Sequence, residues 1–199
     1  MAYSLESADP SAASDQVTGT GYTSVYDSFS TGTEAVLATT IPDGAGGFNS
    51  VTYPKIDGTN LSLIYTNGRL STALTRGNGE RGEDVTHLME GIMNIPTRID
   101  THLDEVVING ECVTNNEVDN FRNYVSGALG LKSAKEFAER NIIFIAHDWL
   151  GTEINYKARM NIVKNMGFFT VLEDNAWTYP MDGVVYRADS YTKCLRLGY

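Results

Sequence analysis

"NLSLIYTNGRLSTALTRGNGERG", Asn60 to Gly82, decides the fold. Apolar and polar residues alternate on both sides of Asn67-Gly68, so Leu61, Leu63 and Tyr65 share one face of a strand. Asn-Gly is the strongest short hairpin signal, because both residues tolerate the positive φ of a type I′ turn. The stretch therefore reads as an antiparallel hairpin. Its end spells G-x-G-x-x-G at Gly77, Gly79 and Gly82, the fingerprint of a dinucleotide-binding Rossmann turn. That fingerprint works after the first strand of a parallel βαβ unit. Here it follows the second arm of a hairpin, which does not build such a sheet. The predicted class is α+β, with antiparallel strands and helices packed outside.

Further elements follow outward from the hairpin. Val85, Leu88, Met89 and Ile92 recur at helical spacing, which predicts a helix with one apolar face ahead of Pro96. "EVVINGEC" and "NIIFIAH" read as strands, the second fully buried. "TNNE", Thr114 to Glu117, and "SAKE", Ser133 to Glu136, have the form of capping boxes; behind the first, Val118, Phe121 and Val125 form an apolar stripe. Glu153 to Met166 is predicted as a helix stopped by Gly167, with Ile154, Ala158, Ile162, Val163 and Met166 inward. "FFTVL" and "MDGVVYRA" are the last predicted strands. Residues 1–47, rich in Ser, Thr, Gly and Ala, read as a mobile arm or linker with one short helix at "TEAVLATT". The packed domain is expected to span 48–199.

Composition narrows the class. The chain has 199 residues, 42% of them apolar, enough for one sizeable core. It contains no apolar run of about 18 residues, so no membrane span is expected. The N-terminus has neither a basic start nor an apolar core, unlike a signal peptide. Two cysteines, Cys112 and Cys194, suggest a reducing compartment, and the expected location is the cytoplasm. A net charge of −10 argues against tight nucleic-acid binding by this chain alone.

The chemistry concentrates in "YPKIDGTN", Tyr53 to Asn60. Pro54 pushes Tyr53 toward an extended backbone. In an extended segment Lys55 and Asp57 point the same way. A lysine amine becomes a nucleophile when desolvation or neighbouring cations lower its pKa, and Asp57 could orient it. Taken alone, the tetrapeptide reads more simply as a surface ion pair before a turn.

The combination is more specific. "KIDG", then "NG", then "TRGNGERGEDVT" closely resembles, without a gap from Lys55 to Thr86, the adenylation domain of bacterial-type NAD-dependent DNA ligases. Asn78 stands where that family has Asp. "NGE" (Asn109 to Glu111), "FRNYVSGAL", "IIFIAHDWLG" and "MDGVVYRADS" resemble later family motifs, in the family's order. The fold implied is that of the covalent nucleotidyltransferases.

The resemblance implies a mechanism and its residues. Lys55 attacks the α-phosphorus of NAD, NMN leaves, and a lysyl-AMP intermediate passes AMP to a DNA 5′-phosphate before the nick is sealed. Asp57 orients the lysine. Arg76 and Arg187 contact nucleotide or phosphate, and Arg122 serves the phosphates or the NMN side. Glu111 holds the ribose or a hydrated Mg²⁺. Tyr53 and His147 stand where the family contacts adenine, through a Glu and a stacking Tyr. From the residues alone, Arg76 also reads as a solvated charge, Arg122 as a helix-surface stem, and His147 as a hydrogen-bonded core histidine.

Two departures bear on function. Arg187 replaces the family's Lys, keeping the charge without proton exchange near neutral pH. The family's NMN domain, its next lysine motif and its OB-fold, zinc and helix-hairpin-helix parts are not recognisable. The expectation is an adenylation subunit of a split, phage-type ligase that meets nicked DNA only with a second subunit carrying the OB-fold. The alternative is a degenerate, non-catalytic nucleotide-binding or scaffold protein of the same fold. A third reading is an ATP- or GTP-using nucleotidyltransferase, which shares Lys-x-Asp-Gly but not, as a rule, the glycine-rich block.

Overall fold

The computed structural model describes residues 2–4, 40–41, 48–76, 82–150 and 154–192. Gly77 and Gly79, Cys194 and most of the expected arm lie outside them. Among the described residues eight strands form two antiparallel sheets. The strands are β1 (Ala2–Ser4), β2 (Thr40–Ile41), β3 (Phe48–Ile56), β4 (Thr59–Thr66), β5 (Arg69–Thr75), β6 (Glu105–Thr114), β7 (Ile142–Leu150) and β8 (Met181–Ala188). One sheet has the order β1-β8-β3-β2 and the other β5-β4-β6-β7.

The Asn67-Gly68 hairpin forms as read: φ is 49° at Asn67 and 73° at Gly68, and Leu61, Leu63 and Tyr65 are fully buried. Asp57-Gly58 turns the chain from β3 in one sheet into β4 in the other. A Cβ at Gly58 would run into the Cys112 carbonyl of β6, so glycine lets the turn lie flat on the second sheet. This crossing sets the β3–β4 turn against the C-terminal part of β6, at Cys112 and Val113.

Among the described residues three α-helices flank the sheets: α1 (Phe121–Leu129), α2 (Ala134–Ala138) and α3 (Tyr156–Asn165). The Ser133 box caps α2, with Ser133 Oγ accepting from the Glu136 N–H at 3.3 Å. The Thr114 box does not cap a helix. Thr114 is the buried last residue of β6, and α1 begins at Phe121, where the Asn120 side chain accepts from the Asn123 N–H. The long β6 ladder takes Thr114 before a helix can start there.

Val85, Leu88, Met89 and Ile92 are buried as expected, but Thr86–Gly91 winds as a 3-10 turn rather than an α-helix. "FFTVL" is not a strand; only Thr170 bridges, to Ala146, while Phe168 and Val171 anchor a turn in the core. Gly167 does stop α3, at φ 101°. The buried face of α3 is rotated from the expected one. Tyr156, Arg159, Met160 and Val163 point inward, while Ile162 is 39% exposed. An aromatic stack and a charge pair, described below, override the apolar spacing. Among the described residues no helix is long and apolar enough to cross a membrane.

Candidate active site

Directly paired residues of an antiparallel sheet lie on one face. Lys55 pairs with Gly183, Tyr53 with Val185 and Val51 with Arg187. Lys55, Tyr53 and Arg187 therefore share a face of the first sheet. After Lys55 the register slips: Ile56 pairs with Met181, leaving Asp182 as an extra residue in β8. Such a bulge re-aims a side chain. The Asp182 carboxylate lies 3.4 Å from Lys55 Nζ and 3.3 Å from Arg122 Nη2. Arg122, at the start of α1, also meets Asp57 at 2.7 Å. Lys55, Asp57, Arg122 and Asp182 thus form one charged cluster over the β3–β4 turn. Asp182 was not singled out from sequence, although its Met-Asp-Gly repeats the apolar-Asp-Gly form of Ile56-Asp57-Gly58.

A second group comes from the other sheet. Glu111 pairs with Asn60 across β4–β6. The β6–β7 register slips between Asn109 and Gly110, so His147 is the extra residue of β7. The Asn60 amide contacts Glu111 Oε1 at 3.4 Å and His147 Nε2 at 3.2 Å. Asn60 Nδ2 can only donate, so Nε2 accepts and the neutral ring carries its proton on Nδ1. Burial lowers the His147 pKa, in keeping with a neutral ring. Burial raises Glu111 from 4.5 to about 7, against the Asn60 hydrogen bond and the Arg122 and Arg76 charges, with Asp57 adding to the rise. These charge effects tie Glu111 to the first cluster. Arg76, exposed at the end of β5, is near enough to act on it. Cys112 next to Glu111 is fully buried packing.

The raised Glu111 pKa makes stability depend on pH. The folded chain holds the proton between about 4.5 and 7 while the unfolded chain has lost it. Stability therefore falls as pH rises through that window. Glu111→Gln is expected to flatten that fall in urea unfolding from pH 4.5 to 7.5. An unchanged slope would show that Glu111 ionises normally.

The third group was not legible in the sequence. Asp148 sits between two arginines, with Arg159 Nη1 at 3.2 Å and Arg187 Nη1 at 3.1 Å. Both arginine side chains are only 7% exposed. Tyr53 stacks on Tyr156 at 5.5 Å between ring centroids, and the Arg187 guanidinium lies 4.3 Å above the Tyr156 ring. Burial works against the Arg187 charge, but Asp148, Tyr53 and Tyr156 together outweigh it and raise the pKa. Burial raises the Tyr53 pKa, so its hydroxyl keeps its proton. Tyr53 and Arg187 are thus engaged inside the protein, whereas Asp57, Asn120, Arg122, Asn123 and Asp182 line an open cleft, and the Lys55, Glu111 and His147 side chains are partly exposed.

The site offers a lysine amine paired with one carboxylate, a second carboxylate on the neighbouring Arg122, a further cation at Arg76, and the half-buried Glu111 carboxylate. Such a set suits nucleophilic attack on a phosphate ester. No three His, Cys, Asp or Glu side chains among the described residues converge to hold a metal ion directly. The Glu111 and Asp57 carboxylates fit Mg²⁺ held through its water shell, which that ion sheds reluctantly.

Comparison with known proteins shows the family. Residues 36–176 match the model of the NAD-dependent DNA ligase adenylation domain. A DNA ligase of Campylobacter hominis is 32% identical over 73% of this chain and 28% of its own length. For a DNA ligase of Sinorhizobium medicae the identity is 34%, over 80% and 28%. For one of Borrelia garinii it is 29%, over 79% and 29%. The chain thus spans less than a third of the length of the curated relatives it matches. With an extended Lys-x-Asp-Gly segment leading through a crossing turn into a Glu-bearing sheet, this chain belongs to the NAD-dependent DNA ligase adenylation domain family.

Proposed function

We propose that this chain carries out the adenylation step of an NAD-dependent DNA ligase. The carrying observation is the placement of Lys55 where the Asp57–Arg122–Asp182 cluster meets Glu111, Asn60 and His147. Lys55 Nζ forms a bond to the α-phosphorus of NAD, the bond from that phosphorus to the bridging pyrophosphate oxygen breaks, and NMN leaves with its phosphate. Asp57 and Asp182 steady the amine, and Arg122 and Arg76 face the phosphates. Glu111, when ionised, accepts from the ribose or from the waters of Mg²⁺. Mg²⁺ would supply charge neutralisation at the phosphates.

AMP then passes to the 5′-phosphate of nicked DNA. We place this in the cytoplasm, in keeping with only two cysteines. A chain with net charge −10 lacks the cations that DNA contact needs. In this reading an OB-fold and other DNA-binding parts come from further ligase polypeptide. The 199-residue chain alone is therefore expected not to seal nicks with NAD. Sealing is expected on mixing with a ligase segment bearing those parts, weakening as salt rises. Robust sealing by the chain alone would overturn the dependence on added parts.

A non-catalytic protein of the same fold is the second reading. The internal engagement of Tyr53 and Arg187 favours it. Failure of adenylate-labelled NAD and Mg²⁺ to modify the protein in any mixture would decide for it.

A further inference from the structure

Resting on the adenylation reading, we propose that Tyr156, in the first turn of α3, is a positioning residue for the reaction. Its hydroxyl fixes His147, the extra residue of β7, and through it the Asn60–Glu111 group relative to the Lys55 strand.

A bulge leaves its extra residue without a ladder partner, so the His147 main chain needs another anchor. The Tyr156 hydroxyl supplies it, donating to the His147 carbonyl at 2.7 Å. Close by on α3, Arg159 Nη1 donates to the Trp149 carbonyl at 3.2 Å. The start of α3 thus holds the β7 backbone on both sides of Asp148.

The same helix end is tied to the other sheet. The Tyr156 N–H donates to the Asp189 carbonyl at 2.8 Å, and the Lys157 N–H to Asp189 Oδ1 at 2.7 Å, directly after β8. The Tyr156 ring stacks on Tyr53, which precedes Lys55 in β3 on the same face. One side chain therefore touches the Lys55 strand with its ring and the His147 bulge with its hydroxyl.

What the bulge controls is a shared donor. The Asn60 amide nitrogen carries two hydrogens. Three acceptors lie around it: the Gly110 carbonyl at 3.1 Å, His147 Nε2 at 3.2 Å and Glu111 Oε1 at 3.4 Å. The place of His147 decides how much of that amide is left for Glu111. If the ring drifts, the amide turns to the two remaining acceptors and re-aims the Glu111 carboxylate. In the adenylation reading that carboxylate acts on the ribose or on the waters of Mg²⁺. Its aim then bears on the rate of phosphoryl transfer more than on NAD affinity. Misplacing a positioned group by about 1 Å can cost ~10²-fold in rate.

Tyr156→Phe keeps the buried ring and its stack and removes only the hydroxyl. The test mixes the full chain with Mg²⁺ and the complementing ligase segment and follows lysyl-AMP formation over a range of NAD concentrations. The rate at saturating NAD is expected to fall on the order of tenfold, with the half-saturating NAD concentration changed by less than about twofold. Val163→Ala, two turns along the same helix, opens a cavity away from the bulge. It is expected to lower the urea midpoint and leave the rate unchanged. Spectra of ¹⁵N-labelled histidine read the positioning without turnover, with the His147 signal identified by its loss in His147→Gln. The unprotonated Nε2 signal is expected to shift in Tyr156→Phe and to stay in place in Val163→Ala. An unchanged rate in Tyr156→Phe, a loss carried wholly by NAD affinity, equal slowing in Val163→Ala, or an unmoved His147 signal would each overturn the proposal. If the wild-type chain forms no lysyl-AMP, the adenylation reading fails by itself. The His147 signal then decides alone: a shift in Tyr156→Phe sustains the anchoring of His147, and no shift removes it.

Discussion

Lys55→Ala is expected to abolish covalent nucleotidylation, leaving no adduct under conditions that label the wild-type chain completely. The reason is chemical rather than positional. In the adenylation reading the amine is the atom that bonds to phosphorus, and no neighbour can take its place. Its ion-pair partner is the Asp182 carboxylate, and Asp182 and Asp57 both meet the guanidinium of Arg122. Carboxylates would give a mixed anhydride that water opens, and a guanidinium is not nucleophilic near neutral pH. Lys55→Arg is expected to fail equally, because it keeps the charge and loses the amine. The Lys55–Asp182 ion pair is partly exposed, so either change should cost less than about 1 kcal/mol of stability. The checks are adduct mapping and urea unfolding of both variants. A label on another lysine, or equal labelling of Lys55→Ala, would overturn the nucleophile assignment.

Asp148→Ala is expected to be among the most destabilising single changes in the chain. It leaves the Arg159 and Arg187 guanidiniums buried side by side with no carboxylate between them. Removing one partner of a buried ion pair commonly costs about 3–5 kcal/mol, because the remaining charge is left uncompensated. For a chain of this size that corresponds to a fall in Tm on the order of 10 °C. Replacing Asp148, Arg159 and Arg187 together by apolar residues of similar volume should recover most of the loss. Without that recovery, packing rather than charge would be the cause. A cost below about 1 kcal/mol for Asp148→Ala would show that water reaches the cluster.

Much of the framework follows from local rules that the sequence states openly. Asn67-Gly68 admits few turns other than the one observed, and the alternation before it puts Leu61, Leu63 and Tyr65 in the core whatever the rest of the chain does. The Lys55-to-Thr86 block pointed to the family that the comparison shows, and its Gly58 serves the crossing turn. Tertiary structure decided what alternation and helical period cannot express. Each bulge adds one residue to a strand, re-aiming Asp182 toward Lys55 and His147 toward Asn60, and nothing in a period of two announces the extra residue. The face of α3 turned because Tyr156 and Arg159 found Tyr53 and Asp148, partners on other elements, and a stacked ring with a buried ion pair outweighs the apolar spacing of Ile162. Charges that meet only across folded sheets leave no local trace, since pairing across 39 residues is set by register and not by sequence distance.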